Sequence, residues 1–444
     1  MIARRTLTSL AALGLAALAP SAYANGRNAG TSTINFRHGH EQDIAAGMTF
    51  GLLLSHDGGA TWQWMCEDAV GFAGTFDPDF DYAGDGSLFA TTLADGLRVE
   101  ADGCTFAATP SGTTKVTQVE IGPDGAIYYA ASDPADVKIY KSTDGGATFP
   151  QSATPPGAPA GTNWQSLAVA PSDPTRVYLS GYQTMNGVPN AQFLYRSSDG
   201  GASFVPIAAD GLITMTNSKI DIVGIDPVDP DIVYIRVQDE SPMGQGLYKT
   251  TNGGASGGWT HIRSDNDAPL VLLVRADSSL VEASPHLGAR TSIDGGTTWT
   301  ELSGAPHLNC LYANSAGEIW GCTVDLAGMG SPTPDGWAIM KTTDLVTWTG
   351  VLKFSDIQAP VSCPAGTVQH DQCVLPYQGK ASMWCILTVQ IGITAMPIDC
   401  SQPLPEGAPV HHGGCCDSGG GAANGLLGGL AAMLWIVRRR RTSC

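Results

Sequence analysis

Ser55-His56-Asp57-Gly58-Gly59-Ala60-Thr61-Trp62 is the stretch from which the rest of the chain can be read, because it returns. It recurs as Ser142–Phe149 (STDGGATF), Ser197–Phe204 (SSDGGASF) and Ser292–Trp299 (SIDGGTTW). Weaker copies are Asp102–Phe106 (DGCTF), Thr250–Trp259 (TTNGGASGGW) and Thr342–Trp348 (TTDLVTW). The acid or amide of each copy falls at Asp57, Asp102, Asp144, Asp199, Asn252, Asp294 and Asp344, with gaps of 45, 42, 55, 53, 42 and 50 residues. Such near-regular spacing marks a repeat architecture. The phrase also has a local physical meaning. Asp and Ser/Thr side chains cap free backbone N–H groups in a tight turn, the glycines supply positive φ, and the Thr-Trp step opens the next strand with an aromatic anchor. The six aspartates and Asn252 are therefore structural, not catalytic.

Short apolar strands precede the turns, as in Lys138–Lys141, Phe193–Arg196 and Gly246–Lys249. Upstream of these lie strand pairs joined by Asp-Pro or Gly turns, such as Leu167–Ala170 with Val177–Ser180 and Asp221–Ile225 with Ile232–Val237. One period then holds about four strands, the content of a propeller blade. The expected fold class is all-β, a single β-propeller of seven four-stranded blades. The first turn lies only 32 residues beyond Asn25, so the first blade is expected to lack a strand. The apolar run Ser382–Thr394 is expected to supply it and so close the ring.

The phrase matches the Asp-box, or BNR repeat, S-x-D-G-G-x-T-W, and over residues 50–350 the chain resembles the propellers of sialidases, sortilin-type receptors, xyloglucanases and photosystem II assembly factors. The resemblance implies a fold far more than a function. In such blades the box joins the third and fourth strands, and ligands enter at the opposite face.

Composition agrees. The 444 residues include 55 Gly and 28 Pro, against a helical bundle, while 43% hydrophobic content is enough for a core. The formal charge of −18 rises to about −23 when the leader and tail arginines are set aside, which excludes nucleic acid as a partner.

The ends read as addresses. Residues 1–24 have the form of a signal peptide, with Arg4 and Arg5, an apolar run from Leu7 to Ala19, and Ala22-Tyr23-Ala24 for cleavage. The propeller is assigned to residues 25–400, a linker with a Gly-Cys motif to 401–418, and a hydrophobic segment with Arg438–Arg441 to 419–444. Gly414-Cys415-Cys416, the apolar stretch and the arginines together resemble a MYXO-CTERM sorting tail. That resemblance implies cutting near Gly414-Cys415 by a sorting protease, export to the cell surface or outer membrane, and attachment through the processed C-terminus. The plainer alternative is a single-pass anchor in the membrane.

Eight of the eleven cysteines lie in the body, an even count that behind a leader reads as disulfides. Cys310 and Cys322 stand symmetrically in a hairpin and should bond, and Cys66 is paired with Cys104. Cys363, Cys373, Cys385 and Cys400 allow three connectivities, of which 363–373 with 385–400 closes the shortest loops.

Few residues suggest chemistry. Asp77, Asp79, Asp81 and Asp85 imitate the start of a calcium loop, but Tyr82 stands where Gly is needed and Leu88 where a bidentate Glu belongs. The loop His38-Gly39-His40-Glu41-Gln42-Asp43, placed on the ligand face, offers two imidazoles and carboxylates without a third strong ligand. A sialidase would need an arginine triad and a Tyr-Glu pair, and neither can be assigned. The favoured reading is a cell-surface, non-catalytic, monomeric binding or scaffold propeller with no cofactor, its ligand a protein or glycan. The alternatives are a secreted sialidase-like glycosidase and a soluble assembly factor.

Overall fold

The computed structural model describes residues 28–400 apart from 73–75, 101, 113–114, 186–187, 209–211, 213–217, 239–244, 256–257, 266–270, 329–331 and 379–380. Seven blades follow one another along the chain: Thr31–Met65, Phe80–Ala108, Val116–Ala153, Asn163–Pro206, Lys219–Asp265, Val271–Leu302 and Cys310–Leu352. Each is an antiparallel meander of four strands in chain order. The first strands of successive blades touch one another around the ring, so they line the axis and the fourth strands lie outermost. The protein is thus a seven-bladed β-propeller, as the period implies.

The repeated turn joins the third and fourth strands of its blade. In blade 1, Asp57 Oδ1 accepts the Thr61 amide at 2.8 Å and Oδ2 accepts the Thr61 hydroxyl at 2.6 Å. Ser55 Oγ donates to Asp57 at 2.9 Å and accepts the Gly59 amide at 2.9 Å. Asp144, Asp199 and Asp294 repeat this pattern with Thr148, Ser203 and Thr298. The degraded copies keep part of the pattern: Asp102 accepts the amides of Cys104 and Thr105, and Asp344 accepts those of Val346 and Thr347 together with the Thr342 hydroxyl at 3.0 Å. Asn252 accepts the Thr250 hydroxyl at 2.8 Å, and Thr250 Oγ1 still accepts the Gly254 amide at 3.1 Å.

The glycine pair divides its labour. The first, Gly58, has φ +73° with nothing near the position of a Cβ, so it serves only the turn. The second, Gly59, has φ +89° and would set a Cβ 2.9 Å from both Trp320 and Val351 of blade 7. Gly146, Gly254 and Gly296 approach Phe89, Ile207 and Ile262 of the preceding blade in the same way. The motif is therefore an inter-blade contact as well as a turn.

Two expectations about closure fail. Blade 1 has all four strands, Thr31–Phe36, Ile44–Met48, Gly51–Ser55 and Gln63–Met65, because its first strand already begins at Thr31. Ser382–Thr394 is no strand of the ring: Met383–Ile391 is a helix, with the Ser382 hydroxyl accepting the Cys385 amide and Gly392 at φ 73° closing it. Its buried residues Trp384, Leu387, Thr388 and Ile391 fall at i, i+3, i+4 and i+7, the helical period, which outweighs its β-branched content.

The helix belongs to a strap that follows blade 7. Ala359–Pro360 adds parallel to Gln63–Trp64 at the outer edge of blade 1, and Val361 N–H donates to Trp64 O at 2.8 Å. Fully buried Gln369 then takes the Cys66 amide and donates to Trp64 O, at 3.0 and 2.9 Å. Trp384 packs on Trp64 with ring centroids 5.8 Å apart.

Disulfides fasten the strap. The pairs are Cys66–Cys373, Cys104–Cys363, Cys310–Cys322 and Cys385–Cys400. The hairpin pair and 385–400 are as expected, but Cys66–Cys104 and 363–373 are not formed. Adjacent blades hold Cys66 and Cys104, yet each faces the strap that runs past both, and the strap supplies the nearer thiol.

Because Gly58 and Gly59 share positive φ and differ in what surrounds them, Gly58→Ala and Gly59→Ala separate turn strain from blade packing. Gly58→Ala should cost about 1 kcal/mol and Gly59→Ala about 1–3 kcal/mol more, measured by denaturant unfolding. Equal costs would refute the inter-blade role.

Candidate binding cavities

The meander sorts every loop to one of two faces. First-to-second loops share a face with the repeated turns; second-to-third and blade-to-blade loops share the other. His38–Asp43 joins the first and second strands of blade 1, so it lies on the turn face and not the opposite one as its sequence position suggested. Contacts agree: Gly58 N–H donates to Gln42 O at 3.0 Å, and the His56 ring meets Asp43 at 2.9 Å. Its groups do not converge on a metal. Asp43 is taken by Arg37 and His56, Glu41 binds Ser315, and His38 and His40 are exposed.

The four aspartates of the calcium-like stretch are drawn out along the first strand of blade 2. Asp79 and Asp81 reach toward blade 3, where they accept the amides of Val119 at 3.1 Å and Ile121 at 2.7 Å. Asp85 sits beyond the strand end and caps the Ser87 amide at 2.9 Å. Among the described residues no three His, Cys, Asp or Glu side chains are grouped to hold a metal ion.

Asp79 and Asp81 begin a series that the sequence did not reveal. Glu120 of blade 3 accepts the Val169 amide of blade 4 at 3.3 Å, and Ser166 of blade 4 accepts the Ile222 amide of blade 5 at 2.8 Å. Side-chain oxygens of one blade thus satisfy inner-strand amides of the next, a role that alternation alone could not announce. Enclosure by the ring pushes Asp79 and Asp81 up to about 7, and Glu120 is also raised by burial and by its acidic neighbours.

Two cavities flank the boundary between blades 1 and 2. The one on the face opposite the turns, about 470 Å³, is lined by Phe72, Phe76, Leu93 and Val368 with Asp68, Asp95 and Arg98 beside them. Leu93 is 43% exposed, and Arg98 is held by Asp95 at 2.9 Å. The other, also about 470 Å³, opens on the turn face among Arg37, Asp43, His56, Tyr82, Glu100 and Asp102. Strap residues reach both: Val368 lines the first, and Val361 and Ser362 the second.

The described arginines do not form a carboxylate-binding triad. Arg37, Arg98, Arg176, Arg236, Arg263, Arg275 and Arg290 each pair with a carboxylate, and Arg196 donates to the carbonyls of Asn252 and Gly253. Tyr82 and Glu100 do share a cavity, but Arg37 is the single arginine lining it. The turn aspartates are equally committed, and their hydrogen bonds pull Asp144, Asp294 and Asp344 down to about 2.

No protein-family model matches the chain, and no curated protein does. Solved structures share its fold. A GH74 enzyme of Niastella koreensis is 14% identical over 75% of this chain and 66% of its own, with a TM-score of 0.43. An ancestral GH74 enzyme is 15% identical over 72% and 45%, with a TM-score of 0.49, so this chain spans less than half of its length. YCF48 from Cyanidioschyzon merolae is 15% identical over 66% and 92%, with a TM-score of 0.47. At these identities, and with TM-scores below 0.5, the likeness carries no argument about this chain's role.

The two sets of aspartates give opposite pH dependences. Asp79 and Asp81 hold protons longer folded than unfolded, so they cost stability progressively as pH rises from about 4 to about 7. Asp144, Asp294 and Asp344 stabilise above pH about 4, and that contribution is lost as pH falls through about 2. Asp79→Asn with Asp81→Asn keeps an acceptor for each amide, so the double variant should melt higher than the parent at pH 8 and show a flatter melting profile between pH 4 and 7. An unchanged slope would contradict the assignment.

Proposed function

We propose that the protein is an exported Asp-box propeller, displayed on the cell surface, that binds a protein or glycan ligand without transforming it. The observation that carries the reading is the cleft opposite the turns, where Phe72, Phe76 and Leu93 make apolar walls beside the charged Asp68, Asp95 and Arg98. That composition suits recognition: apolar area supplies affinity and a few charges fix orientation. The commitment of the described arginines to partners favours binding over a sialidase-like reaction, which would call for three of them facing one carboxylate.

Export and display rest on the sequence at the two ends. The four disulfides favour an oxidising compartment. The leader would carry the chain out, and Arg438–Arg441 would stop the tail with its charges inside while Gly414-Cys415-Cys416 is presented outside for cutting. The tail lies outside the described residues; among those that are described, no helix is long and apolar enough to cross a membrane.

Two experiments test the two halves. With the oxidised protein as bait, cell-surface extract or a glycan array should yield a ligand whose retention falls at least tenfold in Leu93→Glu; a ligand retained equally by that variant does not use the cleft. Changing Cys415 and Cys416 to Ala should leave an uncut, membrane-held precursor, and a double variant that still reaches the surface at the mature mass would overturn the sorting tail.

A further inference from the structure

The cavity on the turn face contains two groups that the fold does not explain. Glu100 ends the third strand of blade 2 and is 8% exposed; Tyr82 ends the first strand of the same blade and is 9% exposed. Both side chains line the cavity. The Glu100 carboxylate accepts the amides of Asp102 and Gly103 and lies in the field of the His56 ring, which Asp43 already engages; no other partner meets it among the described residues. Tyr82 Oη makes no hydrogen bond among them either. Glu100 and Tyr82 are thus nine-tenths enclosed as residues and border a space of about 470 Å³.

Such an arrangement is costly for folding alone. A buried carboxylate is normally matched by a cation, and a buried hydroxyl by an acceptor. Every other charge at the cavity is already spoken for. Asp43 holds Arg37 and His56, Asp85 caps Ser87, and Asp102 caps Cys104 and Thr105. Arg37 donates to Asp43 and to Gly84 O, at 3.1 and 3.2 Å. Burial raises the Glu100 carboxyl, and an arriving cation would offset that same desolvation.

We propose that this cavity is a binding site for a small ligand carrying a primary ammonium group, which pairs with Glu100; where the ligand also carries an oxygen acceptor, the Tyr82 hydroxyl donates to it. The volume suits a molecule the size of a monosaccharide or a short diamine. The site lies on the opposite face from the cleft assigned to the protein or glycan ligand and does not depend on it. Its rim is fastened by Cys104, whose bond to Cys363 holds the strap against blade 2.

Isothermal titration of the oxidised, full chain at pH 7 tests the site with three probes: glucosamine, putrescine, and the neutral N-acetylglucosamine. Saturable binding is expected for at least one ammonium probe and not for the neutral one. Binding of glucosamine alone assigns the site to amino sugars, and of putrescine alone to alkyl amines. Glu100→Gln preserves the acceptor for Gly103 and should weaken binding at least tenfold. Tyr82→Phe removes only the hydroxyl and should weaken glucosamine binding several-fold; it stands as the deciding variant if Glu100→Gln does not fold. Absence of saturable binding by both ammonium probes, or binding unchanged in a folded variant of the pair, would overturn the proposal.

Discussion

A ring of blades must be shut between its first and last members, and here the strand that crosses the join, Ala359–Pro360, belongs to the strap and not to either blade. Each blade is a continuous stretch of chain, and among the described residues blade 7 and blade 1 meet through side chains and the strap. Phe36 packs edge-on against Trp320 with centroids 5.2 Å apart, Gly59 lies under the same tryptophan, and Thr31 Oγ1 donates to Ala338 O at 3.3 Å. Beyond the join, residues 359–400 cover the outer edge of blade 1 and are bonded to blades 1 and 2 through Cys66–Cys373 and Cys104–Cys363. The strap does with a two-residue ladder, covalent bonds and a helix what a full blade strand shared across the join would do, and it hides an edge that would otherwise invite pairing.

Both cavities follow from that device. They open on the two faces at the boundary between blades 1 and 2, which the strap crosses, and strap residues line each. Elsewhere the second glycine of a turn lets blades close tightly, as with Gly146 on Phe89 and Gly254 on Ile207. Blade 2 has instead the shortened turn Asp102-Gly103-Cys104, whose Gly103 touches nothing at the Cβ position. A lost contact there leaves room for a cavity, and the cysteine that replaced it holds the strap.

What repeats was legible in the sequence. The blade count and the caps of the six aspartate turns follow from the turn phrase, since each hydrogen bond spans at most four residues, as from Asp57 to Thr61. What occurs once was not. Met383–Ile391 carried its own signs, a Ser382 cap, a closing Gly392 and buried positions at helical period, but its β-branched residues and the want of a closing strand pointed elsewhere. The disulfides to the strap span 307 and 259 residues, and shortest-loop reasoning has no hold on such distances. Tyr82 and Glu100 look like ordinary strand residues until antiparallel pairing sets their ends side by side with Leu88 between them. Asp79 and Asp81 were noticed as acids, but their use as acceptors for blade 3 depends on a neighbour 40 residues away.

The central claim, that the strap and not a blade strand holds the ring shut, is tested most directly by comparing two disulfide deletions in equilibrium unfolding. Cys66–Cys373 ties a span of 307 residues across the closure, whereas Cys310–Cys322 ties 12 within one blade. Cys66→Ala with Cys373→Ala should lower the unfolding free energy by about 2–5 kcal/mol, more than Cys310→Ala with Cys322→Ala, and should leave the 359–400 segment open to protease before the blades unfold. A loss no greater than that of the hairpin pair, with the segment still protected, would show that the ring closes without its strap.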